Sequence, residues 1–450
     1  MSKTIRVLQI GDIHLPDWPD TRTAIDDKDK TFSSEIKKEV TSRPLQNILR
    51  RLNEITTSGM IDAIICMGDY TSRGQTDEIK KAVKIIDSLT SDSFTDVPLR
   101  KMGVPGNHDV SREDAVAFGQ SGKFTHVEEA FRSCDWDAPP IDECIKYEIG
   151  RSSDAKIDVH LLNSSLGSWS THLLPQPLSD SLQGDRLNEQ QVQLIGADPN
   201  GKSCDDVGDS PSFKDRREQG YYQLDTPYLS NQSLSSMKSF STRSDKDSVL
   251  IVSHHNLLPQ STPRITHYAE MLNAGQARMF LQNLNKTVIY LHGHIHTDPV
   301  EKISFPAADA SAQRGGEIIS ISAPAIWDGF NEICFFLDDD GEIFLLRVTE
   351  YRPDSLGHLG NFSDQVSRYI PIQNRIEHLV TPEVQRVWSA IRDKRTVSWP
   401  ELVELGKKQS LSSEKIEHAI LSLFCCALVQ IGQLGRDKTR WRVRVNERAA

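Results

Sequence analysis

The chain has 450 residues, a length that implies two to three domains rather than one core. Hydrophobic residues at 37% and charged residues at 26% describe a globular chain, and no run of 18 apolar residues exists to span a bilayer. Seven cysteines, odd in number and without a CxxC spacing, exclude a disulfide framework and fit a reducing, cytoplasmic setting.

Residues 5–10 are an apolar run too short, and with the wrong flanks, for a signal peptide; they predict a first strand ending at Gly11-Asp12. Residues 17–42 are polar and charged and read as a surface insertion. Leu45, Ile48, Leu49, Leu52 and Ile55 recur at helical spacing up to Gly59. A second strand over 60–67 ends at Gly68-Asp69, and Ile79, Val83 and Ile86 mark one face of a helix over 77–89. The third strand, 98–104, ends at Pro105-Gly106-Asn107-His108. Strands alternating with helices predict α/β architecture, and the chemistry-bearing residues follow strand C-termini, where open α/β sheets place ligands.

Another strand is expected over 157–163 and a short helix over 187–195. Residues 198–248, rich in Ser, Asp and Gly, read as an extended loop or cap. Order resumes with a strand over 249–253 running into His254-His255, a helix near 268–284, and a strand over 287–291 leading to Gly293-His294-Ile295-His296. Residues 318–322 and 333–337 read as strands of a second sheet. Asp338-Asp339-Asp340-Gly341 is a hairpin turn into 342–348, since it lacks the ligand spacing of a calcium loop.

Residues 353–376 read as a linker between a body over 1–352, with insertions at 17–42 and 165–248, and a C-terminal unit over 377–450. In that unit Val384, Val387, Trp388 and Ile391 mark a helix with Pro382 at its start, and 400–405 suggests a second. Ile416, Ala419, Ile420, Leu423 and Phe424 mark a third, capped by Ser412 or Ser413. A hairpin over 428–431 and 440–445 turns at Gly435-Arg436-Asp437-Lys438. Three helices and a hairpin resemble a winged helix. Apolar and basic residues alternate over 440–445, which points Trp441, Val443 and Val445 inward and Arg440, Arg442 and Arg444 outward; Arg436 and Lys438 complete a basic wing. From Arg375 onward 14 Lys and Arg face 9 Asp and Glu, although the whole chain carries −11. A basic wing suits a nucleic-acid backbone first, and then a protein partner or plain edge protection.

Five short motifs gather the polar chemistry: Asp12-Ile13-His14, Gly68-Asp69, Gly106-Asn107-His108-Asp109, His254-His255 and Gly293-His294-Ile295-His296. Singly, Gly-Asp and Gly-Asn are turn signals. Together, each after a predicted strand, they cluster carboxylates and imidazoles that have no purpose without a cation. Mixed oxygen and imidazole donors suit Mn, Fe, Zn or Ni better than Ca. An extended segment would point His294 and His296 to one face, each toward a different metal.

In the identity and order of these motifs, residues 5–350 resemble the calcineurin-like metallophosphoesterase superfamily. The resemblance implies a four-layer αββα sandwich of two mixed sheets and two divalent metals, Mn2+ foremost, with Fe, Zn or Ni as alternatives. It implies that Asp12, His14, Asp69 and His296 bind one metal, and that Asp69, Asn107, His254 and His294 bind the other, Asp69 being shared. A hydroxide between the metals would attack phosphorus in line, and His108 would protonate the leaving oxygen. Arg73, Asp109 and His255 stand beside the ligands as supports or phosphate contacts; Arg73 equally fits a surface ion pair, and His255 is the alternative ligand to His254. The remaining histidines, His292 among them, fit no motif and read as structural or surface.

Protein Ser/Thr phosphatases of this superfamily carry GDYVDRG and RGNHE. Here Ser72 stands at the acidic position of the first, and Pro105 and Asp109 flank the second, so protein phosphatase activity is not expected. Asn107-His108-Asp109 and His254-His255 are more similar to the bacterial phosphodiesterase and nuclease branches, and 184–195 resembles the helix that precedes the His-His strand there. The expected substrate is a phosphodiester of a nucleotide or nucleic acid. A DNA nuclease guided by the winged helix is one alternative. The other is a non-catalytic scaffold, against which the complete ligand set speaks.

Overall fold

A computed structural model describes residues 3–15, 43–58, 60–72, 74–90, 99–111, 122–152, 155–168, 227–259, 271–296, 300–305, 316–353, 367–372 and 379–446. The expected insertion at 17–42, the helix over 187–195 and Arg73 lie outside them.

The chain opens with β1 (Lys3–Ile10), α1 (Arg43–Thr57), β2 (Ala63–Cys66), α2 (Thr76–Leu89), β3 (Arg100–Gly103) and α3 (Thr125–Ser133). It continues through β4 (Ile145–Ser152), β5 (Ala155–Leu161), α4 (Asn231–Arg243), β6 (Ser248–Val252), α5 (Ala274–Gln282) and β7 (Thr287–His292). Then come β8 (Glu301–Ser304), β9 (Glu317–Ser322), β10 (Phe330–Leu337), β11 (Ile343–Tyr351) and β12 (Ser367–Pro371). One sheet has the order β12-β11-β10-β1-β2-β3 and the other β4-β5-β6-β7-β9-β8. Both are mixed: β1, β2 and β3 are parallel, as are β5, β6, β7 and β9, with antiparallel partners outside them.

Period-two alternation stacks the layers. In β1, Ile5 and Val7 face the second sheet and meet Ile289 and Leu291 of β7 and Ile319 and Ile321 of β9. Leu8 and Ile10 face outward, beneath Leu49 and Leu52 of α1 and Val83 and Ile86 of α2. On the far side, Val288 and Tyr290 pack under Leu234 and Met237 of α4 and Ala277 and Leu281 of α5. The result is the expected αββα sandwich. Between the sheets lies a buried polar clasp. The amide of Gln9 donates to the carbonyls of His292 (3.1 Å) and Ile321 (3.0 Å), and Asn331 donates to Gln9 Oε1 (3.0 Å) and the Ser322 carbonyl (2.8 Å). It ties the two sheets together just below the C-terminal ends of β1, β7 and β9.

Several expectations are corrected. Residues 318–322 and 333–337 do not share a second sheet: β9 lies beside β7, whereas β10 pairs antiparallel with β1. The Ser-rich stretch expected to be loop contains α4, whose N-cap Ser230 accepts from Ser233 N and which buries Leu234 and Met237. Apolar residues are sparse on that helix, so its period is weak. The expected linker contains β12, an edge strand on β11 whose inward residues are only partly buried. The helix α3 and the strands β4 and β8 had no clear sequence signal.

The C-terminal unit comprises α6 (Pro382–Ile391), β13 (Thr396–Ser398), α7 (Trp399–Lys408), α8 (Ser413–Cys425), β14 (Val429–Gly432) and β15 (Arg442–Val445). Thr381 and Ser412 cap α6 and α8, and a Ser398–Glu401 capping box starts α7. Its sheet has the order β13-β15-β14. Trp441, Val443 and Val445 are buried, while Arg440, Arg442 and Arg444 are exposed; Arg440 sits in a 3-10 turn rather than on the strand. Lys438 pairs with Glu417 at 2.7 Å. The unit shares a core with the body: Cys334, Phe336, Phe344 and Leu345 join Val387, Ile391 and Leu421. His418 of α8 bonds the Leu337 carbonyl (3.1 Å) and meets Phe344 edge-on at 5.0 Å. The third helix is thus spent on the outer face of β10 and β11. Among the described residues no helix is long and apolar enough to cross a membrane.

Candidate metal centre

The five motifs follow β1, β2, β3, β6 and β7, and the structure gathers them along one end of the sandwich. The loops tie to one another. Ile13 N and His14 N both donate to the Asp69 carbonyl (2.8 Å each), Gly293 N donates to the His254 carbonyl (2.9 Å), and Ile326 N donates to the Asp12 carbonyl (3.1 Å). Four of the polar residues stand in the left-handed region: His14 (φ 48), Asp69 (φ 53), His294 (φ 64) and His296 (φ 64). A non-glycine residue there is strained by about 1–3 kcal/mol, a burden found mainly where function requires a particular side-chain direction. The His294–His296 segment is therefore a turn, not the extended stretch expected. Glycine serves the same end at Gly68 (φ 97), where a Cβ would fall 2.8 Å from His254 Nδ1.

Donor atoms of Asp12, His14 and His296 lie within 4.8 Å of one another; so do those of Asp12, Asp69 and His254, and those of His254, His255 and His294. In the first cluster Asp12 Oδ2 is 3.1 Å from His296 Nε2. Asp12 also accepts from His294 N through both oxygens, at 3.3 and 3.1 Å. Asp69 Oδ2 lies 3.3 Å from His254 Nε2 and 3.7 Å from His14 Nε2, and so stands between the clusters. His254 Nε2 is also 2.9 Å from Asn107 Oδ1, while its Nδ1 meets the Met67 carbonyl at 2.6 Å.

That last arrangement tests the fit for a metal. With Nδ1–H donated to Met67, His254 Nε2 presents a lone pair to two oxygens that are themselves acceptors. Such a trio needs a cation, either a second proton on the ring or a metal ion. Charge follows the same logic. Burial raises the Asp12 carboxyl, but His296 and His254 outweigh it and bring it down to about 2. Burial likewise opposes ionisation of Asp69, yet His254, His108 and His14 hold it well below the usual carboxylate range. His254 is lowered by burial but raised further by Asp69 and Asp12, reaching about 10. His296 rises beside Asp12 despite its burial. The fully buried carboxylates thus demand positive charge, and the residues present fit divalent cations.

The flanking residues divide. His108 is exposed; its N donates to Asp69 Oδ1 (2.9 Å) and its Nδ1 meets the Ser72 carbonyl (3.0 Å). Asp109 points inward, accepting from Gly106 N (2.8 Å) and Thr71 N (3.1 Å), and burial with nearby Asp69 pushes its carboxyl up to about 7. His255 is buried, bonded to Ser164 Oγ (2.9 Å), its ring 4.7 Å from that of His294. Three neighbours escaped the sequence reading. His126 bonds the Asp109 carbonyl (2.8 Å), Ser164 holds His255, and Trp327 stands 5.7 Å from the His14 ring and 6.3 Å from that of His296. For Ser164 a signal existed, since Asn163-Ser164-Ser165 follows a strand as the other motifs do; for Trp327 none did.

The fold and the convergence of these motifs define a metallophosphoesterase sandwich. The calcineurin-like phosphoesterase family model matches residues 5–298, and the chain belongs to that family. No curated protein matches it significantly. Among solved structures it is similar to a dimetal phosphatase from Danio rerio, with 13% identity over 78% of this chain and 96% of that one and a TM-score of 0.41. It is similar also to a purple acid phosphatase from yellow lupin seeds, with 12% identity over 82% and 54% and a TM-score of 0.40. A 5'-nucleotidase precursor from Thermus thermophilus shares 10% identity over 77% and 54%, with a TM-score of 0.35. Likenesses at this level say nothing about substrate.

Proposed function

We propose that the chain hydrolyses phosphodiesters of nucleotides or nucleic acids at a dinuclear metal centre. The observation that carries this is the place of Asp69, whose Oδ2 faces His254 and His14 at once. Asp12, His14, Asp69 and His296 would hold one cation, and Asp69, Asn107, His254 and His294 the other, with Mn2+ foremost and Fe, Zn or Ni as alternatives. Two bound divalent cations supply charge neutralisation at phosphorus and a nucleophile at neutral pH. The chain's own groups do the rest. Met67 and Ser164 fix the rings of His254 and His255, and the Asp69–His108 backbone bond sets where the His108 ring projects. With His108 Nδ1 held on the Ser72 carbonyl, Nε2 is the ring nitrogen left to pass a proton to the departing oxygen. Ser72 thus supports the imidazole through its backbone, where related protein phosphatases use an acidic side chain. The phosphodiester preference rests on the resemblance of Asn107-His108-Asp109 and His254-His255 to that branch.

Purified protein with Mn2+ is expected to cleave bis-p-nitrophenyl phosphate. Asp69→Ala should remove both metal and turnover, and His108→Ala should lower kcat by about 10²–10⁴ while metal content stays. Absence of turnover with Mn, Fe, Zn and Ni across mono- and diesters would rule the reading out.

A second reading, a nuclease, draws on exposed Arg442 and Arg444 with Arg440, and on a helix-strand-helix-helix-strand-strand order, similar to that of a winged helix, within residues 379–446. With α8 packed on the body, contact would come from the wing rather than from a helix in a groove. Charge reversal of Arg440, Arg442 and Arg444 should then abolish salt-sensitive DNA binding. Deleting the unit is a poorer test, because it uncovers Phe336 and Phe344.

A further inference from the structure

Trp327 lies in a 3-10 turn, Ile326–Asp328, after β9. The turn is rigidly set: Ile326 is buried and its N–H holds the Asp12 carbonyl at 3.1 Å. The indole is only half-buried, packed on one side against the core beneath α1 and α2. Its ring centroid is 5.7 Å from that of His14 and 6.3 Å from that of His296, while His14 meets exposed His108 edge-on at 5.0 Å. An imidazole-and-indole surface therefore runs from His108 across His14 to Trp327 at the mouth of the centre. Among the described residues no group accepts from the indole N–H. A tryptophan serving only the core would bury its ring and satisfy that donor. Among the described residues Trp327 does neither, and an indole has no free nitrogen lone pair to serve as a metal ligand.

We propose that Trp327 is a stacking platform for a planar aromatic group carried by the phosphoester, a nucleobase being its biological form. The proposal rests on the hydrolase reading and adds to it the residue that recognises the base. A ring fixed by a pinned turn loses little freedom on binding, and every base offers a π-face to it. The same contact would select nucleotides over alkyl or sugar phosphates of equal charge at one site.

The test is equilibrium binding of adenosine 5'-monophosphate and of ribose 5-phosphate to the Mn-loaded full-length protein, by calorimetry. The wild type should prefer the nucleotide. Trp327→Ala should weaken the nucleotide by between about 5-fold and about 150-fold and leave ribose 5-phosphate unchanged. Trp327→Phe, which keeps an aromatic face, should retain most of the preference, and metal content should match the wild type in both variants. Equal affinities in the wild type, binding of neither probe, or a preference that survives Trp327→Ala would overturn the proposal. So would a metal loss in Trp327→Ala that accounts for the weakening. A base preference in a protein that hydrolyses no phosphoester would sink the hydrolase reading and leave the platform standing; hydrolysis without base preference would do the reverse.

Discussion

Replacing Gly106 by Ala is expected to disable the centre without unfolding the protein. Gly106 sits at φ −97, which any residue adopts, so its demand is spatial. An added Cβ would lie 2.0 Å from Asp69 Oδ1 and 2.3 Å from Asp69 N, where real contacts stay beyond 3.0 Å. Something must move by about 1 Å. Asp69 cannot swing aside, because its carbonyl holds Ile13 N and His14 N and its Oδ1 holds His108 N. The displacement is therefore shared by three motifs. A misplacement of that size costs on the order of 10²-fold in rate, and overpacking lowers stability by about 1–3 kcal/mol. Gly275→Ala is the control: a Cβ there meets nothing within 4 Å, in the first turn of α5, and should stabilise by about 0.5–1 kcal/mol. Turnover of bis-p-nitrophenyl phosphate, metal content by mass spectrometry and urea unfolding report the three quantities. A Gly106→Ala protein with full turnover and full metal content would refute the spatial reasoning.

Metal binding should release protons. His254 reaches about 10 in the metal-free protein, against 6.5 ordinarily, so its Nε2 is protonated at neutral pH and must lose that proton to bind a metal. Affinity should rise between about pH 6 and 9, and calorimetry in buffers of differing ionisation heat should detect the release; none detected would contradict the assignment. The metal-free protein should behave oppositely. A raised His254 stabilises fully below 6.5, and that contribution fades as pH rises through about 10; Asp12, lowered from 3.8 to about 2, stabilises above 3.8 and loses its contribution as pH falls through about 2. Buried Asp109, raised from 3.8 to about 7, costs stability as pH rises between those values, so on these three groups thermal melting without metal should be highest near pH 4. In the C-terminal unit, Trp441 is 1% exposed, meets Trp399 edge-on at 5.6 Å and donates to the Arg436 carbonyl. Trp441→Ala should lower stability by about 3–5 kcal/mol in urea unfolding, with turnover of the folded protein unchanged; a loss under 1 kcal/mol would show the unit to be loosely packed.

The strands that carry the motifs, and the three C-terminal helices, were legible because their signals are local. Short apolar runs in 5–10 and 287–291, helical spacing in 45–55 and 384–391, and capping serines state their conformation within a few residues of chain. What failed depended on distant partners. The helix α4 shows little period because its few apolar residues acquire a core only from β6 and β7, and β12 is a strand only because β11 offers an open edge.

The same division runs through the centre. From the sequence alone come the kinds of donor, carboxylate, amide and imidazole, and their order, since these are properties of residues and spacing. The left-handed turns at His14, Asp69, His294 and His296 and the meeting of Asp69 with both clusters belong to the tertiary structure. So do the Ser72 carbonyl behind His108 and the indole of Trp327 beside His14. Each of these joins loops from separate strands, often on different sheets. Such contacts arise only when the sheets close on each other and their strand ends face one space, a geometry no local run of residues encodes.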